Sequence, residues 1–270
     1  VQARALEVLA DATTGAPEGG IVAYVAPALK SDNQKVQAEA VALIARRVTR
    51  HELSDAIALM RPILAAEPSP VHDLIMQKFG RLPGAYRGRI ASAQGYLVTW
   101  QLLGSLEIGD DELEEDFGVV QRHVKDQPPA PLTVPATEPD EQDRTLQWQW
   151  WSVNRSDGWV PLNLVMPFPV ENRIAFARAT FDLKAASKAR LLVRCDDEAR
   201  VYLDGKLLGN ATIKEPGAFD LDLKPGTHRL MLKTMNGPTL WGFSARLVTE
   251  EGAALPGLTQ PPIPPDDLEP

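Results

Sequence analysis

Asp196 and Asp197 are adjacent carboxylates, placed just after a run in which Leu191, Val193 and Cys195 share one face. Hard oxygen donors of this kind suit Ca²⁺, but a complete site takes about six to eight oxygens and no nearby motif supplies the rest. The alternative is a tight turn in which the Asp196 carboxylate accepts from backbone N–H groups ahead of Val201. Trp148 and Trp150 fall on one side of an extended segment and Trp151 on the other. Exposed, the first two would form a platform for sugar rings; buried, such side chains fill the space between two sheets. The run Glu107–Asp116 holds seven acids and no base, and reads either as a patch for a basic partner or as a solvated loop. There is no Gly-x-Ser-x-Gly elbow, no His-Glu-x-x-His pair, no glycine loop for phosphate and no cysteine with a suitably placed base. The expectation is a protein that does not catalyse.

Composition narrows the classes further. The 270 residues are 24% charged and 44% hydrophobic, as in an ordinary globular protein of two domains. A net charge of −8 argues against a nucleic-acid partner, which needs a basic stripe along the phosphates. No stretch is apolar for long enough to span a membrane. Cys195 is the single cysteine, and His51, His72, His123 and His228 are too scattered to form a ligand pair at helical spacing. No cofactor is expected apart from a Ca²⁺ ion, should the aspartate pair be a site.

The elements that would position these residues differ along the chain. Val1–Ala10 reappears at Val36–Ala45, with Val1, Gln2, Ala3, Ala5 and Ala10 identical to their counterparts, and the same offset of 35 relates Leu29 to Leu64, Val36 to Val71, Ala40 to Ile75 and Ile44 to Phe79. A fixed period of this length marks stacked helical units. Helices are expected over Val1–Ala12, Gly19–Lys30, Gln34–Val48, Glu52–Ala66 and Val71–Arg81, with Asp32-Asn33 as a cap and Glu67–Pro70 as a break. The stretch Leu29–Ala45 resembles a HEAT repeat, so residues 1–84 are expected to form a short HEAT-like α-solenoid that binds a protein partner or serves as a spacer. Val1 would then open the second helix of a pair whose first helix lies upstream, in a longer polypeptide.

After Gly84 the period is expected to change from 3.6 to 2. Phe219–Lys224 alternates strictly, Asp204-Gly205 is a hairpin signal between two apolar runs, and Pro225-Gly226 is a further turn. Many short strands with turns between them, and no helices among them, predict an antiparallel sandwich. Trp100–Leu106, Leu146–Trp151, Ala177–Phe181, Cys195–Lys206 and Leu223–Lys233 together resemble a planctomycete-type sandwich module allied to galactose-binding-like and protective-antigen-like domains. Ser105-Leu106, Glu198 and Asp204 depart from that module's usual residues. The resemblance implies a jelly-roll-like fold over 95–249 in an exported bacterial protein, periplasmic or extracellular. In sugar-binding relatives an aspartate pair like Asp196-Asp197 can hold Ca²⁺ against sugar hydroxyls.

Residues 250–270 are expected to form a Pro-rich arm. Its prolines cannot donate to a sheet, and an already extended segment is ordered at low entropic cost. The arm is expected to lie in a groove, mainly on a partner subunit, with Leu255, Leu258 and Ile263 as anchors and Asp266, Asp267 and Glu269 near solvent or basic groups. The whole reads as an α+β multidomain chain that is a scaffold or accessory subunit in a larger assembly. The alternative is a carbohydrate-binding module acting through the sandwich.

Overall fold

In the computed structural model, residues 20–107, 119, 131–134, 143–166, 171–238 and 240–264 are described. Among the described residues five helices come first: α1 (Gly20–Leu29), α2 (Gln34–Arg47), α3 (Leu53–Ala65), α4 (Pro70–Phe79) and α5 (Gly84–Ala93). Local chemistry sets several of their ends. Lys35 N donates to Asn33 Oδ1 at 3.0 Å to start α2, and Arg46 and Arg47 occupy its last turn. His72 N donates to Ser69 Oγ to start α4, with Pro70 at its first position. For α1 the cap comes from a distance: Ile21 N donates to Glu52 Oε1 at 2.9 Å.

The offset of 35 maps buried residues onto buried residues. Val36, Ala40 and Ile44 on α2, and Val71, Ile75 and Phe79 on α4, are each at most 3% exposed. The helices α1, α3 and α5 contact one another in series, as do α2 and α4, while α1 meets α2 and α3 meets α4. The result is two layers of helices over one core. The first copy of the repeat, Val1–Ala12, lies outside the described residues.

The expected change of period at Gly84 is corrected, since α5 follows it. Its sequence, with glycines at 84 and 88 and little amphipathic pattern, has poor intrinsic helicity. Packing supplies the rest. Ile90, Ala91 and Ala93 are buried, and a Cβ on Gly88 would collide with the Val153 carbonyl oxygen, so the glycine permits close approach to the next unit.

The remaining strands are β1 (Thr99–Glu107), β2 (Leu132–Val134), β3 (Arg144–Leu146), β4 (Gln149–Ser152), β5 (Arg173–Leu183), β6 (Ser187–Asp196), β7 (Glu198–Leu203), β8 (Lys206–Thr212), β9 (Gly217–Leu223), β10 (Gly226–Asn236) and β11 (Gly242–Val248). They form a six-stranded sheet ordered β4-β1-β5-β10-β7-β8, a three-stranded sheet ordered β11-β6-β9 and the pair β2-β3, with all pairings antiparallel. The expectation of strands uninterrupted by helices is corrected by the one-turn helix α6 (Leu162–Val165). Asp204 and Gly205, at φ 50° and 80°, make the β7–β8 hairpin turn. Pro225 stands between β9 and β10, which belong to different sheets, so that connection carries the chain from one sheet to the other.

Side chains from both sheets share one core. Ala175, Ala177 and Ala179 of β5 leave room for Trp100, Trp241 and Phe243, and Trp100 meets Phe243 edge to face at 4.7 Å between ring centroids. The other side of β5 carries Ile174 and Phe176 into a smaller cluster with Leu103, Val119, Leu132 and Met231. A central strand covered on both faces has no need of a polar side, which accounts for the nearly unbroken burial along β5. The chain is thus a mixed α+β fold.

Candidate functional site

Asp196 ends β6 and Asp197 forms the link to β7. Asp197 Oδ2 accepts from Gly237 N at 2.6 Å, and Asp197 N donates to Met235 O at 3.2 Å. The backbone-binding carboxylate of this turn is therefore Asp197, in place of the Asp196 expected from sequence. Burial raises the Asp196 carboxyl above its ordinary value, and the neighbouring Asp197 charge raises it further. The next acid, Glu198, accepts from Asn210 Nδ2 at 2.7 Å. Among the described residues no three His, Cys, Asp or Glu side chains are grouped to hold a metal. One oxygen of the pair, Asp197 Oδ2, is thus committed to a backbone N–H, and the about six to eight oxygens a Ca²⁺ ion takes would have to come from the rest of the pair and from groups beyond it.

Trp148 packs in the smaller cluster on the outer side of the large sheet, while Trp151 packs against the main core, so the two occupy opposite sides as the alternation predicts. Trp150 lies opposite Gln101 on the edge strand β4 and is half-buried. Of the two tryptophans proposed as a pair, Trp150 is the one not built into either core.

The arm is seated on its own chain over residues 254–264. Leu255 is 5% exposed and Leu258 packs beside it against the main core, a different seat from the partner groove expected for Leu258. Thr259 and Asp182 exchange two backbone hydrogen bonds of 3.1 and 2.8 Å. Gln260 Oε1 accepts from Val98 N at 2.6 Å and Thr99 N at 3.2 Å, while its Nε2 donates to Thr99 O at 3.0 Å. Ile263 is half-buried. Asp266, Asp267 and Glu269 lie outside the described residues, as does the acidic run beyond Glu107, whose carboxylate lies 3.3 Å from Arg173.

Sequence reasoning missed the junction between helices and sheets. Gln94 caps α5 and is 5% exposed. Its Nε2 donates to Ser156 O at 2.9 Å and to Ile90 O at 3.2 Å. Both amide hydrogens are then used, so Oε1 is the acceptor for His72 Nε2 at 3.2 Å, which fixes the proton on that ring nitrogen. The Gln94 carbonyl accepts from Arg246 Nε at 2.5 Å, and the Arg246 guanidinium lies 5.6 Å from the Tyr96 ring centroid. Burial lowers the affinity of Arg246 for its proton and raises the Tyr96 hydroxyl above its ordinary value. Three backbone bonds add to the join: Ala254 N to Ala65 O, Leu97 N to Ala245 O and Leu247 N to Gly95 O. The legible signal was Gly95, at φ 90° directly after the cap, the usual residue for ending a helix.

Beside this junction is a half-open cleft of about 610 Å³, walled by the ends of α3 and α5, by residues 95–99 and by the arm.

No family model matches the chain, and no curated protein matches it. Solved structures offer partial likenesses. A β-glucosidase from Kluyveromyces marxianus in complex with glucose shares 15% identity over 38% of this chain and 15% of its own, with a TM-score of 0.31. A β-glucuronidase from Ruminococcus gnavus shares 12% over 52% and 21%, with a TM-score of 0.26. An α-xylosidase from Xanthomonas citri shares 14% over 44% and 16%, with a TM-score of 0.25. The chain spans about a fifth or less of each of these proteins, and likenesses this slight say nothing of its activity.

Proposed function

We propose that this chain is a non-catalytic scaffold or accessory subunit of a larger extracytoplasmic assembly, holding protein partners on its helices at a fixed angle to its sheets. The observation that carries this reading is the Gln94 junction. A buried amide bonded to two carbonyls and to His72, and flanked by Arg246, couples the two units more tightly than a flexible tether would. Such coupling is what presentation of a partner in a set orientation requires. The two helix layers and the offset of 35 support a HEAT-like stack over 1–84. Two antiparallel sheets around one core support a jelly-roll-like sandwich over 95–249, followed by the Pro-rich arm at 250–270. Exported, periplasmic or extracellular placement rests on the resemblance of that sandwich to bacterial modules.

Tyr24 on α1 is one of the few exposed large apolar side chains among the described residues, 37% exposed, and gives a handle for the test. Native extracts are passed over the full chain and over Tyr24→Glu. Specific partners held by the first and lost by the second, with unchanged melting, support the scaffold; identical capture by both would remove the helix face from the account. The second reading, carbohydrate binding, is favoured by Trp150, which is half-buried on an edge strand and lies in neither core. A glycan-array signal abolished in Trp150→Ala would select it.

A further inference from the structure

We propose that the cleft at the junction is a binding site for a small amphipathic carboxylate, with its apolar end inside and its carboxylate on Arg61. The volume, about 610 Å³, falls in the range of ligand pockets. The wall mixes apolar side chains, Ala65, Ala93, Val98 and Leu255 among them, with the hydroxyl groups of Ser92 and Thr99, as an amphipathic ligand needs. Among the described residues that line it, Arg61 is the one that carries a charge. In a chain with 36 acids against 28 bases, a wall whose described residues include one cation and no carboxylate favours an anion. Arg61 is exposed on α3, and no hydrogen bond or ion pair joins it to another described residue. A guanidinium in this state offers a two-pronged donor set that matches a carboxylate.

The cleft is also held open. Its arm wall is pinned by Ala254 N to Ala65 O, by the Thr259–Asp182 exchange and by the Gln260 amide. The Gln260 side chain is committed to backbone groups, which leaves Arg61 as the recognising group. Walls fixed before binding lower the cost of ordering the complex.

Calorimetric titration of the full chain with octanoate, octanol and octylammonium tests the assignment. Octanoate is expected to saturate one site, and octylammonium to bind more weakly. Arg61→Gln weakens octanoate by about tenfold, or about 1.4 kcal/mol, while leaving octanol unchanged. Ser92→Trp, which fills the cleft from a half-buried position, removes octanoate binding; circular dichroism checks that both variants fold. Absence of saturable octanoate heat at millimolar concentration would overturn the proposal, as would equal affinity in Arg61→Gln. An acetylated tripeptide with a free C-terminal leucine that binds where octanoate does not would replace the small ligand by a partner's chain end.

Discussion

Glu52 shows how much a single half-buried carboxylate can organise. Its two oxygens accept from Ile21 N at the start of α1 and from the Thr49 backbone and hydroxyl at 3.1 and 2.7 Å, joining a helix start to the turn before α3. The Thr49 hydroxyl bond is the leading cause of its lowered affinity for a proton, relative to an ordinary value of 4.5. A carboxyl depressed in the folded state contributes stability that is present above its unfolded value and lost as pH falls through its folded one. The advantage of wild type over Glu52→Gln is therefore expected to shrink as pH is lowered below 4.5, followed as melting midpoint against pH. At neutral pH Glu52→Ala should cost about 1 kcal/mol in urea titration, the usual loss of a helix cap. Asp196 has the opposite sign: burial favours its protonated form, so ionising it works against folding as pH rises through the carboxylate range. In Asp197→Asn the neighbouring charge is gone, and the Asp196 carboxyl resonance should titrate at lower pH than in wild type. Addition of Ca²⁺ should leave both proteins' melting unchanged; a rise in wild type alone would mark the pair as a metal site.

At the scale of elements, the arm gives a direct test of where it belongs. Leu255 and Leu258 join the main core, and Gln260 satisfies the N–H groups of Val98 and Thr99. Deleting 256–270 should lower the melting midpoint of the isolated chain by several degrees, because apolar area and backbone partners are lost together. An unchanged midpoint would return the arm to a partner. The sequence carried the arm's apolar anchors but not their seat, since three residues of pattern cannot say which surface they fit. Helices α1 to α4 were legible to within one or two residues because their stripes repeat at 3.6 and their ends carry Asn33, Ser69 and Pro70. Helix α5 was not, because Gly84, Gly88 and scattered small residues give no stripe and the helix forms by packing on Val153. The β7–β8 hairpin was legible from Asp204-Gly205. The cap on α1 was hidden because its donor and acceptor are 31 residues apart. The aspartate turn was placed correctly, yet which carboxylate takes the backbone bond depends on Gly237, 40 residues away.

For the whole molecule, the question is whether helices and sheets behave as one unit or as two cores joined in series. Each has its own buried cluster, so either could in principle unfold alone. What ties them is polar and buried: the Gln94 amide, His72, the Ser156 carbonyl and Arg246, with the Ala254–Ala65 bond at one side. Gln94→Leu keeps the approximate volume but leaves the Ser156 carbonyl and the His72 ring nitrogen without partners. Each stranded buried group costs about 1–3 kcal/mol, and all of it falls on the interface between the clusters. Neither core is altered directly, so the loss should appear as lost coupling. Wild type is expected to melt in one transition whose calorimetric and van't Hoff enthalpies agree, and Gln94→Leu in two. Gln94→Glu is the sharper variant, because its carboxylate cannot donate to Ser156 O or Ile90 O but can still accept from His72 Nε2. If donation across the interface is the tie, Gln94→Glu should split the transition as Gln94→Leu does. If acceptance from His72 is enough, it should melt as wild type. A single sharp transition in both variants would place the coupling in the backbone bonds of residues 95–97 and 254 instead.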